Sequence, residues 1–477
     1  MTPAVANPVC RLGEFHEFEG AGRHFLYLAP AGAIFEADGE VKSVIDRLRA
    51  GPMDRGMLAD QIGSPDAGAL IAELESAHVI VGSDTAPALV ENPPADFPLQ
   101  SLVLNLTNQC NLSCQYCYEF GEDKVATPDG KPKFMDFETA KASVDFLLSQ
   151  SSGRRAVHIT FFGGETLMNF PLLQRVVAYA VEQAAFQGKA IDFSLTTNAT
   201  LLTPAIIRFL SENRIGVTVS MDGPPELHDK LRVFANGRGS YDIIAPRVRA
   251  LIDNHRTRPI AARVTLTAGV TDVLRIYRHL KQDLGFHEVG FAPVTTSSNR
   301  LYSIQDCGMD RVFEQFQALA DEWLAFALRG EMHGFSNVSD TIAELYQGVN
   351  KSHPCGAGLG LMGVGPSGDI APCHRFVDSD AHSLGHISKG IDRDKQSDFL
   401  NRGHIGAKYE CQTCWARPLC AGGCHHEAFV RYGDTGHPNL HYCDWIRGWT
   451  DTCLRIYGTI NALNPEFLDK FAERKAL

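Results

Sequence analysis

The sequence predicts an α/β fold built on a parallel β-sheet, and two observations support this prediction. From residue 99 to residue 300, short apolar segments alternate with amphipathic segments that are long enough to form helices. Strands that alternate with such helices pair in parallel through right-handed crossovers. Polar and cysteine-rich motifs also follow the predicted strands, and the carboxyl ends of parallel strands are where active sites form. Periodicity alone is compatible with a doubly wound sheet or with a barrel.

Six strands and five helices are predicted in this region. The strands are expected at residues 99–107, 156–163, 190–198, 215–221, 262–268 and 288–294. The helices are expected at 137–148, 172–185, 204–212, 241–254 and 273–284, with Asp136 as the N-cap of the first. Residues 301–352 are predicted to be a helical connector, with its clearest helix at 309–328.

The composition predicts a globular protein of several domains. The chain has 477 residues, of which 44% are hydrophobic and 21% are charged. Its net charge of −12 disfavours nucleic acid as the main partner, because a phosphate backbone attracts basic surfaces. No apolar segment reaches the roughly 18 residues of a membrane span, and no secretion signal is recognised. The 13 cysteines therefore favour metal or cluster binding in a reducing, cytoplasmic compartment.

Three cysteines, Cys110, Cys114 and Cys117, follow the first predicted strand at a CxxxCxxC spacing. Thiolates are the ligands that Fe–S clusters prefer, and three of them can hold three irons of a [4Fe–4S] cluster. The fourth iron is then free to bind a substrate. A zinc site that takes a fourth ligand from elsewhere in the chain is the alternative.

The next three strands also end in residues suited to binding a small zwitterion. A glycine-glycine-glutamate motif, residues 163–165, ends the second strand, where glycines let a backbone approach a ligand and a carboxylate can bind an ammonium group. Arg232 follows the fourth strand, and arginine suits a carboxylate because its fork donates two parallel hydrogen bonds. The nearby Asp222 and Asp229 are expected to be strand caps or surface ion pairs.

These motifs together resemble the radical SAM superfamily, whose fold is a partial (β/α)6 TIM-like barrel. The resemblance implies that Cys110, Cys114 and Cys117 hold the catalytic [4Fe–4S] cluster and that S-adenosyl-L-methionine binds beside it. The implied cofactor-binding residues are Tyr118, Gly163, Gly164, Glu165, Asn198, Ser220 and Arg232. A flavodoxin- or ferredoxin-like protein is the implied reductant.

Seven further cysteines lie in a region where regular periodicity fades, which indicates a fold held by metal more than by a core. They are Cys355, Cys373, Cys411, Cys414, Cys420, Cys424 and Cys443. Their spacing resembles the SPASM extension, which holds auxiliary four-iron clusters; zinc sites are again the alternative. The resemblance implies a distal cluster on Cys411, Cys414, Cys420 and Cys443, and a proximal one on Cys355, Cys373 and Cys424. Three [4Fe–4S] clusters are therefore expected in all.

The remaining residues near these motifs are given less specific roles. The proximal set contains three cysteines, and His353, Cys307 or Cys453 could complete it. Cys10, Cys307 and Cys453 are otherwise expected to be buried thiols. His425, His426 and Glu427, which follow a ligand cysteine, are expected to be polar surface residues.

The first 82 residues are predicted to form a separate domain. Strands at 23–29 and 32–36, three helices and a last strand at 78–81 resemble the winged-helix domain with which maturases of ribosomally made peptides recognise substrates. We therefore expect peptide binding here, with the strand at 23–29 as an edge that could accept a peptide strand. A purely structural domain is the alternative. The other predicted divisions are a linker at 83–98, the barrel at 99–300, the helical connector at 301–352, the SPASM domain at 353–450 and a helical tail at 451–477.

The combined resemblance implies a peptide-modifying oxidoreductase. Residues 373–377 and 414–424 look most like the thioether-forming maturases. Among these, residues 118–124 and the N-terminal layout look closest to maturases that act on the small subunit of quinohemoprotein amine dehydrogenases. Such an enzyme performs a post-translational modification, in which Cys-to-Asp/Glu thioether crosslinks form. One alternative is a sulfatase-type maturase that makes formylglycine, although His374 stands where that group has an aspartate. The other is a non-enzymatic Fe–S electron carrier.

Overall fold

Residues 9–82 form two antiparallel three-stranded sheets and three helices. The computed structural model describes residues 9–82, 90–94, 96–127 and 129–476, so part of the predicted linker (83–89 and 95) lies outside the described residues. The strands are β1 (Val9–Leu12), β2 (Phe15–Gly20), β3 (Arg23–Leu28), β4 (Ala33–Ala37), β5 (Met53–Asp54) and β6 (Ile80–Gly82). The helices are α1 (Gly39–Arg49), α2 (Arg55–Ile62) and α3 (Ala67–Ser76).

Strand β3 lies at the centre of its sheet, so the prediction that residues 23–29 form a free edge is wrong. It pairs with β2 on one side and with β4 on the other. Sequence periodicity missed β2 because Phe15 and Phe18 are three residues apart, which breaks the alternation expected of a half-buried strand. In the described residues the edges of this sheet are β2 and β4.

The predicted barrel is built from six parallel strands. They are β7 (Ser101–Asn105), β8 (Ala156–Phe162), β9 (Ala190–Thr197), β10 (Gly216–Ser220), β11 (Ile260–Leu266) and β12 (Glu288–Pro293). Each strand pairs with the next one along the chain. A doubly wound sheet would change direction at a switch point, so this order confirms the barrel. The barrel is partial, since β7 and β12 do not pair in the part of the chain that is described.

The helices that connect these strands follow the predictions closely. They are α4 (Phe137–Gln150), α5 (Phe170–Phe186), α6 (Pro204–Glu212), α7 (Pro225–His228), α8 (Tyr241–Asn254) and α9 (Val273–Arg278). A π-helical turn, His279–Asp283, continues α9. The carboxylate of Asp136 accepts the Thr139 amide at 2.8 Å and caps α4 as predicted. Apolar residues of the strands and helices form one main core.

The C-terminal part extends the barrel sheet and wraps around it. Its helices are α10 (Asp306–Leu328), α11 (Ser336–Tyr346), α12 (Arg393–Gly403), α13 (Arg417–Cys420), α14 (His425–Tyr432) and α15 (Cys443–Leu463), before a 3₁₀ segment, Pro465–Ala476. Its strands are β13 (Leu361–Val364), β14 (Asp369–Ala371), β15 (Gly385–His386) and β16 (Gly390–Ile391), and β13 pairs in parallel with β7. Because α15 is continuous, the predicted division at residue 450 is not a break in secondary structure.

Two cores divide the N-terminal residues between them. Cys10, Leu58 and other residues of β1 and α1–α3 form a small separate core. Phe18 and Phe25, from β2 and β3, instead belong to the main core. They pack against Gly458 of α15, where an added Cβ would lie 2.9 Å from the Phe25 ring. None of the described helices combines the length and apolar character that a membrane crossing requires.

Candidate active site

A central cavity of about 580 Å³ opens at the C-terminal ends of the barrel strands. The cysteine loop after β7 forms part of its wall, and the turn that follows Cys373 forms another part. The strand ends supply the remaining wall. The residues predicted to bind the cluster or S-adenosyl-L-methionine all line this cavity: Cys110, Cys114, Cys117, Tyr118, Gly163, Gly164, Glu165, Asn198, Ser220 and Arg232.

The cysteine loop separates this central cavity from an outer cavity of about 700 Å³ that Cys110 and Cys114 also line. Burial is the main cause that raises the pKa of Cys110 and Cys117 to about 12, and neighbouring thiolates act in the same direction. Burial also raises the pKa of Cys114, against the opposing positive charge of Arg232. Three grouped thiols that resist ionisation suit a metal centre that displaces their protons, so this donor set fits an Fe–S cluster.

The glycines of the 163–165 motif are required by contact with the cysteine loop itself. Gly163 has a φ of +113°, and a Cβ there would lie 2.2 Å from the Thr107 carbonyl oxygen. A Cβ on Gly164 would lie 2.2 Å from the Gln109 carbonyl oxygen. The amide of Gly164 donates to Thr107 at 3.0 Å, and the amide of Glu165 donates to Gln109 at 2.9 Å. The motif therefore fixes the start of the cysteine loop.

The Glu165 carboxylate is buried and held by the end of β9. Its oxygens accept hydrogen bonds from the Thr197 hydroxyl at 2.7 Å and from the Asn198 amide at 2.7 Å. The Asn198 side chain donates to Asn111 at 3.0 Å and lies 3.8 Å from the Cys110 sulfur. Burial raises the pKa of Glu165, while these hydrogen bonds lower it. The two strand ends are thus tied to the cysteine loop by one hydrogen-bonded network.

Arg232 is held by a buried ion pair. Its Nε donates to the Asp222 carboxylate at 2.8 Å, and both side chains are at most 9% exposed. Asp222 also accepts the Tyr116 hydroxyl and the Thr265 amide. Of the two alternatives predicted for Asp222, a strand cap or a surface ion pair, the ion pair is present but buried, so the surface position is wrong. Glu165 and Arg232 supply an anionic and a cationic group to the cavity, which fits the zwitterionic methionine part of S-adenosyl-L-methionine.

The C-terminal cysteines lie close to one another, and their division into a distal and a proximal group stays a prediction. Cys414, Cys420 and Cys443 each act electrostatically on Cys411, whose pKa burial raises to about 12. These four line a mostly apolar cavity of about 370 Å³, together with Cys355 and Cys424. The same kind of buried, mutually close thiols makes this group a fitting donor set for a second cluster.

The predicted proximal group is Cys355, Cys373 and Cys424. The pKa of Cys373 is raised to about 12, mainly by burial and also by the charges of Cys424 and Cys355. Among the residues suggested as a fourth ligand, Cys453 is fully buried in the main core and Cys307 is exposed on α10. The His353 ring bonds to the Ser352 hydroxyl at 3.0 Å and the Leu400 carbonyl at 2.9 Å.

Buried charged and polar residues surround the two groups. Lys408 is 2% exposed, and its ammonium donates to the Ala421 carbonyl at 3.0 Å. Thiolates of both groups act on its pKa, so its positive charge lies close to both. His425, His426 and Glu427 are all buried, so the prediction that they are surface residues is wrong. They form the start of α14, whose first turn is buried.

Sequence reasoning missed several residues that line the central cavity. They are Tyr116, Glu119, Thr218, Arg263, Thr265, Thr295, His374 and Arg375. Thr218, Arg263 and Thr265 occupy lumen-facing positions of β10 and β11, between buried apolar neighbours. Polar residues at alternate positions of a barrel strand were the available signal for them.

No group of three or more His, Cys, Asp or Glu side chains in the described residues is arranged to hold a single metal ion.

Residues 104–280 match the family model of the radical SAM superfamily. The chain is 26% identical to the serine-type anaerobic sulfatase-maturating enzyme of Bacteroides thetaiotaomicron, over 72% of this chain and 86% of the relative. It is 22% identical to the cysteine-type anaerobic sulfatase-maturating enzyme of Clostridium novyi, over 74% of this chain and 94% of the relative.

Solved structures share the fold. Native anSMEcpe with bound AdoMet superposes with a TM-score of 0.64 at 21% identity, over 77% of this chain and 100% of that one. Streptococcus suis SuiB bound to precursor peptide SuiA superposes with a TM-score of 0.51 at 15% identity, over 91% of this chain and 99% of that one. At these identities the likeness shows the fold, which confirms the predicted fold class.

Proposed function

The chain carries a radical SAM domain and is related to the radical SAM/SPASM-type maturases, and from this premise we propose that it forms Cys-to-Asp/Glu thioether crosslinks within a peptide or small protein. The small subunit of a quinohemoprotein amine dehydrogenase is the proposed substrate, on the sequence resemblance of residues 118–124 and of the N-terminal layout. The names of the relatives, which mature sulfatases, and of SuiB with its precursor peptide support a peptide substrate.

The observation that carries this proposal is the position of the central cavity. Its wall includes both the Cys110–Cys114–Cys117 loop and His374 and Arg375, which directly follow Cys373 of the proximal group. The ring of Tyr118 lies 6.0 Å from the His374 ring, so the two regions are in contact. A peptide in this cavity would lie between a radical-generating centre and an auxiliary redox centre.

The residues of the chain would bind and orient the cofactor, and the cofactor and the clusters would supply the radical chemistry. When bound, S-adenosyl-L-methionine and the three proposed clusters supply a 5′-deoxyadenosyl radical and an electron acceptor. Glu165, fixed by Thr197 and Asn198, would accept hydrogen bonds from the ammonium group of the methionine, and Arg232, fixed by Asp222, would bind its carboxylate. Overall, the substrate carbon gives up a hydrogen atom, the thiol gives up a proton, and one electron leaves as the S–C bond forms. The product contains two hydrogens fewer than the substrate.

Mass spectrometry of the reaction with the small-subunit peptide tests this proposal. The reconstituted enzyme is incubated anaerobically with the peptide, S-adenosyl-L-methionine and dithionite. We expect the loss of two hydrogens per crosslink and a cysteine that iodoacetamide no longer alkylates. A Cys114→Ala variant is the matched control and should leave the peptide unchanged. Unmodified peptide from an enzyme that still cleaves S-adenosyl-L-methionine would contradict the proposed substrate.

Formylglycine formation is a second candidate, and the identity to sulfatase-maturating enzymes favours it. Its product is an aldehyde, which a hydrazide probe captures and which a thioether does not give. An electron carrier, in contrast, would release no 5′-deoxyadenosine. The same incubation with a sulfatase-derived Cys peptide or Ser peptide therefore separates the three functions.

A further inference from the structure

Three arginines line the central cavity, and two of them, Arg263 and Arg375, form no ion pair with a carboxylate among the described residues. Arg232 pairs with Asp222 through its Nε. In the described residues the Arg263 side chain makes no hydrogen bond or ion pair. Arg375 donates one hydrogen bond, from Nη1 to the Thr295 hydroxyl at 3.1 Å, and its guanidinium carbon lies 4.7 Å from the centre of the Tyr118 ring. Burial acts to lower the pKa of Arg375, but the nearby Cys424, Cys373 and Glu427 raise it, so Arg375 has anionic neighbours without an ion pair. Both guanidinium groups retain free donors and line the cavity.

The fold itself directs Arg263 into the lumen. Along β11, Ala262 and Val264 are buried, whereas Arg263 between them is accessible from the cavity. Gly290 is its partner on the neighbouring strand, where an added Cβ would lie 3.4 Å from the guanidinium Nη1. The Arg263 side chain is accessible in the cavity, so its guanidinium is available to an anionic ligand.

The charges around Arg263 do not supply that anion. Burial lowers its pKa, the positive charge of Arg375 lowers it further, and Asp340 opposes them with the smallest effect. The two carboxylates that line the cavity accept hydrogen bonds from other residues: Glu165 accepts from Thr197, Asn198 and Leu167, and Glu119 accepts from Asn105. The cavity thus keeps two like charges close together.

We propose that Arg263 and Arg375 bind the carboxylate side chain of an Asp or Glu residue of the substrate peptide. The inference rests on the proposed function, because that residue is the carbon partner of the crosslink. Guanidinium groups bind carboxylates through paired, charge-assisted hydrogen bonds, which fix orientation as well as affinity. The methionine carboxylate is a separate ligand, assigned to Arg232 at the end of β10.

A binding measurement without turnover tests the pair. Anaerobic, oxidised holoenzyme with saturating S-adenosyl-L-methionine and no reductant is titrated calorimetrically with N-acetyl-L-aspartate methylamide, and then with its asparagine analogue. We expect the aspartate probe to bind at least tenfold more tightly, because a charge-assisted pair discriminates against a neutral amide. Arg263→Gln and Arg375→Gln should each reduce this preference several-fold, and Arg263→Lys should keep part of it. Arg278→Gln, which alters an exposed arginine paired with Glu322, is the matched control and should keep all of it.

The outcomes separate this inference from the proposed function. The proposed carboxylate site would be overturned if the wild type bound the aspartate and asparagine probes equally well. It would also be overturned if both Gln variants kept the full preference for the aspartate probe. An aspartate signal that is present in a parallel titration without S-adenosyl-L-methionine and absent with it would assign the carboxylate subsite to the cofactor and overturn the proposal as well. Labelling of Arg263 by phenylglyoxal, read by peptide mass spectrometry, should fall only with the aspartate probe. None of these readouts requires a crosslink, so failure of thioether formation is detected independently.

Discussion

Cys114 is the residue at which the assignment of the clusters is most directly tested. It lies in the cysteine loop beside the central cavity, whereas the distal cysteines line a separate cavity. Cys114→Ala should therefore remove about 4 of about 12 irons and abolish cleavage of S-adenosyl-L-methionine, while the auxiliary iron stays. Iron analysis and 5′-deoxyadenosine assays measure both. Cys307→Ala, at an exposed cysteine of α10, is the control and should retain all of the iron and the cleavage of S-adenosyl-L-methionine. Zinc that stays bound after iron reconstitution would contradict the assignment of the clusters.

His228 makes the stability of the barrel depend on pH. Its Nδ1 accepts the Asp222 amide at 3.2 Å, and burial is the main cause that lowers its pKa to about 3. Between that value and the ordinary value near 6.5, the unfolded chain binds a proton that the folded chain does not. The contribution of His228 to the free energy of unfolding is therefore fully present above pH 6.5. It is lost as the pH falls, by up to about 1.4 kcal/mol per pH unit.

Melting temperatures at pH 7.5 and pH 5.5 check this expectation. The melting temperature of the wild type should fall more between pH 7.5 and pH 5.5 than that of His228→Asn. In this variant the amide oxygen of asparagine can replace the Nδ1 acceptor. His78→Asn is the matched control, because His78 is exposed and its φ of +58° suits asparagine. An equal loss in wild type and His228→Asn would show that this histidine does not carry the effect.

At the residue scale, sequence reasoning found motif residues better than it found their partners. Glu165 and Arg232 stand in recognisable motifs, so their place at the cavity could be predicted. The partner Asp222 was predicted to be a strand cap or a surface ion pair, because its burial depends on Tyr116 and Thr265, which come from distant parts of the chain. Arg263 lies in a strand without a motif, and only the curvature of the barrel sheet shows that its side chain faces the central cavity.

At the element scale, contact between the 163–165 turn and the cysteine loop predicts a specific effect of substitution. Gly163→Ala would combine a strained φ with a Cβ 2.2 Å from the Thr107 oxygen, so the cysteine loop must shift. We expect loss of the loop's iron and of cofactor cleavage, with the C-terminal iron kept. Gly188→Ala, at φ +67° in open space, is the control for strain alone. Equal iron content in the two variants would contradict the role of the contact.

The barrel elements were predictable because each carries its own periodic signal. The bounds of α6 and α8 were predicted to the residue, and every predicted barrel strand is present. The order of the strands could not be read from periodicity, since alternation gives a parallel sheet of either topology. Short strands such as β1 and β5, of four and two residues, lack enough length for any pattern and depend on pairing.

At the scale of the whole molecule, the N-terminal residues are more closely joined to the catalytic body than a separate domain would be. Phe18 and Phe25 belong to the main core, the Glu14 carboxylate pairs with Arg417, and the His16 ring stacks on Trp415 at 3.7 Å. Trp415 directly follows Cys414 of the distal group. Removing residues 1–82 would uncover this apolar surface, so a truncation would mix loss of substrate binding with loss of stability.

A point substitution on the edge strand therefore tests peptide recognition more cleanly. β4 has one edge unpaired in the described residues, and Phe35 on it is 46% exposed. An edge strand can add a peptide strand through main-chain hydrogen bonds, and an exposed aromatic side chain adds apolar contact. Phe35→Asp should weaken binding of the labelled substrate peptide about tenfold, as measured by fluorescence anisotropy, and leave uncoupled 5′-deoxyadenosine formation unchanged. Phe186→Asp, at a phenylalanine 88% exposed at the end of α5, is the matched control and should bind normally. If Phe35→Asp binds the peptide like wild type, this edge is not the recognition surface, and the N-terminal sheet serves the stability of the main core.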